Sequence, residues 1–74
     1  MKKQKNKTVE VLGYTIVIEW MPNGNVYSYP KRKRFTETLP YEQATHKLNA
    51  TTATVIKDAT FLIKMYMKES RRGN

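Results

Sequence analysis

A single imidazole, His46, and six scattered carboxylates, Glu10, Glu19, Glu37, Glu42, Asp58 and Glu69, are the side chains best suited to acid/base or metal chemistry in this sequence. One histidine excludes a paired-imidazole metal site, and any Ser-His-Asp relay would have to pass through His46. On spacing alone His46 reads as a helix-surface residue. No two carboxylates stand where a helix would gather them on one face for metal binding or acid/base work. The three glycines are isolated, so no phosphate-cradling loop is present, and with no cysteine there are neither disulfides nor thiolate zinc ligands. These counts predict no catalytic residues, no metal and no cofactor: the expectation is a protein that is not an enzyme.

Cation is what the chain has in quantity. Fourteen Lys and Arg stand against six Asp and Glu, a net charge of +8 on 74 residues. Charge of that density concentrates polyanions around a protein and speeds encounter with them, which points to nucleic acid, an anionic membrane surface or an acidic protein partner. The charge is also clustered. Lys31, Arg32, Lys33 and Arg34 form an unbroken run just after Tyr27 and Tyr29, combining groups that neutralise phosphate with aromatic faces on which bases can stack.

The elements that must hold these residues can be read from periodicity. Residues 1–7 carry four lysines and almost nothing apolar, and are expected to be a disordered basic tail; residues 71–74 read as a short basic C-terminal tail. Between them, residues 8–70 are expected to form a single small domain. From Thr8 to Trp20 β-branched and aromatic residues alternate, with Tyr14, Ile16, Ile18 and Trp20 on one face, and Gly13 marks a bulge or bend that can break the strand in two. Met21-Pro22-Asn23-Gly24-Asn25 is turn chemistry, predicting a hairpin whose return strand runs from Asn25 to Tyr29. Pro30 ends that strand or confines it to an edge, and Phe35 to Thr38 could add a third. Beyond Thr38 the period becomes helical: Tyr41, Ala44, Thr45 and Leu48 suggest one helix, and Val55, Ala59, Leu62 and Tyr66, flanked by Ile56, Ile63 and Met67, a longer second one. The expected fold class is therefore α+β, a β-hairpin or three-stranded antiparallel meander followed by two helices.

Leu48-Asn49-Ala50-Thr51, with Val55 one turn on, resembles the turn and second helix of helix-turn-helix DNA-binding proteins over roughly residues 41–58. Asn49 would make the left-handed turn, Thr51 would cap the next helix, and Leu48, Ala50 and Val55 would close a small core. The resemblance implies that Thr52, Ala53, Ile56 and Lys57 face the major groove, with Lys31 to Arg34 on flanking phosphates. Ile56 would then meet a thymine methyl or, alternatively, pack within the protein. The order of elements also looks like the small sheet domains that lay a β-sheet against DNA, such as integrase arm-binding domains, in which case Tyr27 and Tyr29 would lie at the contact. DNA is thus the leading expected partner and an acidic protein the alternative, with a homodimer possible through the second helix. No stretch approaches the ~20 apolar residues that span a bilayer, and the apolar stretch after the basic start, Val11 to Ile18, is bounded by Glu10 and Glu19 with no small-residue cleavage site after it, so a cytoplasmic setting is expected.

Overall fold

The computed structural model describes residues 5–31 and 39–72, with side chains to Glu69. Four strands, β1 (Lys5–Val11), β2 (Tyr14–Trp20), β3 (Val26–Lys31) and β4 (Ala44–His46), precede one helix, α1 (Thr52–Arg72). The sheet is an antiparallel meander in the order β1-β2-β3-β4. The expectation of two helices after the strands is overturned: among the described residues there is one helix, and the sheet has a fourth strand.

Each turn has an identifiable cause. Leu12 and Gly13 both adopt positive φ, 49° and 87°, between the paired residues Val11 and Tyr14. That is the mirror-image two-residue turn that matches strand twist, so the break at Gly13 is a full reversal and not a bulge. In the second reversal, Gly24 donates its amide to the Met21 carbonyl (3.0 Å), Met21 donates to the Asn25 carbonyl (2.8 Å), and Asn23 Oδ1 accepts from the Asn25 amide (3.1 Å). Pro30 is tolerated within β3 because β4 pairs only with Val26–Ser28, so no described strand lies alongside Pro30 on that side.

Two segments depart from expectation. Lys5, Asn6 and Lys7, read as part of a tail, pair with Trp20, Glu19 and Ile18 as the first half of β1. Tyr41 to Leu48, read as a helix, contains β4 instead. A helix of that length is too short to repay its own nucleation, whereas Ala44–His46 gains the hydrogen bonds that the edge of β3 offers. His46 correspondingly is a buried strand residue and not a helix-surface one. Leu48, expected in a small interhelical core, is 60% exposed. The proposed third strand at 35–38 lies outside the described residues.

The helix covers one face of the sheet. Val55, Ala59 and Ile63, spaced at i, i+4 and i+8, are fully buried against Ile16, Ile18 and Val26, with Val11 and Ala50 completing the core. Thr51 caps α1, its Oγ1 accepting from the Thr54 amide at 3.3 Å, as its position in the sequence suggested. Asn49 takes the left-handed conformation (φ 58°) and donates its amide to the Gly24 carbonyl at 2.8 Å, joining the helix entry to the second hairpin. Trp20 adds a second tie, its Nε1 donating to the Ala50 carbonyl at 2.8 Å.

Candidate nucleic-acid interface

Cross-strand partners share a face of a sheet, so the register sorts every side chain. Val9, Ile16, Ile18, Val26, Ser28 and Ala44 lie on the helix-covered face together with Lys5, Lys7, Trp20 and His46. The opposite face carries Thr8, Val17 and Tyr29 in one row, Asn6, Glu19, Tyr27 and Thr45 in the next, and Glu10, Thr15 and Lys31 in a third. No described element packs over it. Tyr27 and Tyr29 are half-buried there and Lys31 is exposed at its margin.

Hydrogen bonds fix this open face. Tyr29 donates its hydroxyl to Glu19 Oε2 at 3.1 Å, Thr15 donates to Glu10 Oε2 at 2.7 Å, and Asn25 Nδ2 donates to the Tyr27 hydroxyl at 3.2 Å. The bond to Glu19 holds the Tyr29 phenol above its usual ionisation range, with desolvation and the carboxylate's negative charge acting in the same direction. Each carboxylate on this face therefore has a hydroxyl donor. Both retain acceptor capacity, the property by which a carboxylate reads the amino group of cytosine.

A second polar cluster lies under the helix. His46 Nε2 is 2.7 Å from Ser28 Oγ and His46 Nδ1 is 2.9 Å from Asp58 Oδ2. The order Ser-His-Asp is that of a hydrolytic triad, but Ser28 is fully buried in the sheet, so its Oγ is closed to a substrate. The Ser28 hydroxyl also meets that of Tyr41 at 3.3 Å. Burial raises the Tyr41 phenol's pKa, and this hydrogen bond opposes the rise. The cluster fastens β3, β4 and α1 together.

The residues expected to contact DNA fall into three groups. Tyr27, Tyr29 and Lys31 meet on or beside the open face; Arg32, Lys33 and Arg34 lie outside the described residues. The four helical positions do not converge. Ala53 is exposed, Ile56 packs against the core and so makes the internal contact, and Thr52 and Lys57 line different grooves. Lys57 borders a cleft of about 460 Å³ with Ala44, Asp58 and Phe61, the last 63% exposed. Thr52 borders one of about 670 Å³ with Lys5, Lys7 and Trp20. Lys5 and Lys7 have the composition of a tail, and the signal in the sequence that places them in a strand is the alternation of charge with Asn6 and Thr8 leading into Val9. No family model, curated protein or solved structure matches the chain. Among the described residues no helix is long and apolar enough to cross a membrane, and no cluster of three or more metal-ligating side chains occurs.

Proposed function

We propose that this protein binds DNA by laying the open face of its sheet along the duplex, with Lys31 and the cations through Arg34 on flanking phosphates. The observation that carries this reading is the placement of Tyr27, Tyr29, Val17 and Thr15 on the face that α1 leaves uncovered. Aromatic and β-branched side chains normally earn their place by burial, and here they have no packing partner layer among the described residues. The major groove admits a ribbon of strands, and the donors and acceptors of Thr15, Glu19, Tyr27 and Tyr29 match what base edges present there. The helix supports the alternative less well, because Ile56 is committed to the core and Thr52 and Lys57 open onto separate grooves.

Binding of labelled duplex at several salt concentrations tests this. Four phosphate contacts by Lys31 to Arg34 give a slope of log affinity on log salt of about −3 to −4. Tyr27→Ala with Tyr29→Ala should weaken binding, while Thr52→Ala with Lys57→Ala leaves duplex affinity within about threefold, a fraction of the loss expected for one base contact. If the helical pair governs affinity, the sheet-face reading fails. Absence of binding at low salt removes DNA altogether and leaves docking on an acidic protein in first place.

A further inference from the structure

On the helix-covered side, beside the first residue of α1, we infer a second binding site: the groove between Lys5, Lys7 and Trp20 takes one unpaired nucleotide of a single strand, its base stacked on the indole and its phosphates held by the two lysines. The inference rests on the reading that the partner is nucleic acid, and it adds a distinct surface and a distinct form of the ligand.

Register places Lys5 opposite Trp20 and Lys7 opposite Ile18, so both ammonium groups project from the face of the sheet that elsewhere buries Ile16, Ile18 and Val26. A lysine on an edge strand can serve merely to discourage strand pairing. Two of them on the inner face, beside an aromatic ring and a cleft of about 670 Å³, form a shaped cationic site. That volume lies within the roughly 300–1,000 Å³ of small-ligand pockets. Among the described residues no carboxylate lines the groove, the first turn of α1 holds no acidic residue, and no lysine or arginine forms an ion pair. The lysines therefore have no described carboxylate to neutralise them. Trp20 is held in place by its 2.8 Å bond to the Ala50 carbonyl, so its ring is a fixed platform, and stacking on a fixed aromatic ring is tolerant of base identity. Phosphate contacts combined with base stacking make up the chemistry of single-strand recognition.

Trp20 is the only tryptophan, which makes its emission a direct reporter of the groove. The probes are a short oligothymidylate, inorganic phosphate and blunt duplex, each titrated into the full chain. Oligothymidylate should quench Trp20, and inorganic phosphate should compete weakly without quenching. Lys5→Gln with Lys7→Gln should weaken the single strand by about tenfold while changing duplex affinity by less than about threefold. Lys64→Gln with Lys68→Gln removes the same charge from the exposed side of α1 and should have little effect. Equal losses for the two lysine pairs would reduce the attraction to general charge and overturn the site. So would unchanged Trp20 emission, or loss of single-strand binding in the Tyr27→Ala, Tyr29→Ala variant. Duplex binding together with no Trp20 response to oligothymidylate sinks the groove and spares the open face, whereas quenching of Trp20 by oligothymidylate without duplex binding does the reverse.

Discussion

Ser28→Ala should destabilise the fold more than Asp58→Ala, although both side chains bond the same imidazole. The His46 side chain is 1% exposed and that of Asp58 is 47% exposed. In the neutral ring that satisfies both partners, Nδ1 donates to Asp58 and Nε2 accepts from the Ser28 hydroxyl. Removing the Ser28 hydroxyl leaves Nε2 buried without its donor, a loss of about 1–3 kcal/mol. Removing the Asp58 carboxylate leaves Nδ1–H beside an open cleft where water can take its place, so the loss should stay below about 1 kcal/mol. In a domain this small, whose core supplies a net of only about 3–5 kcal/mol, the first change is a large share of the whole. At about 4–8 °C per kcal/mol for a chain of this length, Ser28→Ala should lower Tm by roughly 5–20 °C. Thermal and urea unfolding followed by circular dichroism measure both variants. A loss for Asp58→Ala equal to or greater than that for Ser28→Ala would refute the argument from burial. An esterase activity that disappears in Ser28→Ala with stability unchanged would refute the structural role of the triad.

Two further expectations concern single positions. In the folded protein Tyr29 should ionise above the ordinary phenol range, and Glu19→Gln should bring it back toward that range, as read from the phenolate absorbance difference between the two proteins. Since the folded phenol keeps its proton to higher pH than the unfolded one, this stabilisation is complete below the unfolded pKa and is lost as pH rises through the folded value. Alkaline unfolding should therefore be less steep in Glu19→Gln; an identical pH dependence would disprove the coupling. Gly24→Ala should cost more than about 1 kcal/mol, because φ is +97° there and an added Cβ would lie 2.9 Å from Leu48 Cδ1 and 3.1 Å from Asn49 Oδ1. The leucine tip can move, so the penalty comes chiefly from the backbone, and Gly24→Asn should be tolerated better than Gly24→Ala. Denaturation midpoints of the two variants decide the order.

What could be read from the sequence was local chemistry. Pro22, Asn23 and Gly24 make their own turn, Gly13 marks a break in the strand though not the full reversal that occurs there, and the alternation from Val26 to Tyr29 separates a buried valine and serine from two outward tyrosines without help from distant residues. The long helix and its Thr51 cap follow in the same way from spacing and side-chain chemistry. The segments that local chemistry does not reveal are the two edges of the sheet. Ala44–His46 carries too few residues to show a period, and a helical spacing from Tyr41 to Leu48 fits the same letters; what decides the matter is the unpaired edge of β3 and the buried Ser28 hydroxyl waiting for the His46 ring. At the other edge, Lys5–Lys7 has the composition of a disordered tail and is ordered by backbone pairing with Ile18–Trp20, to which composition is blind. An edge strand takes its structure from its neighbour, so its own sequence is free to carry something other than packing. For β1 that freedom is used to set two lysines on the inner face beside Trp20, and their alignment with the ring exists only once the register is known.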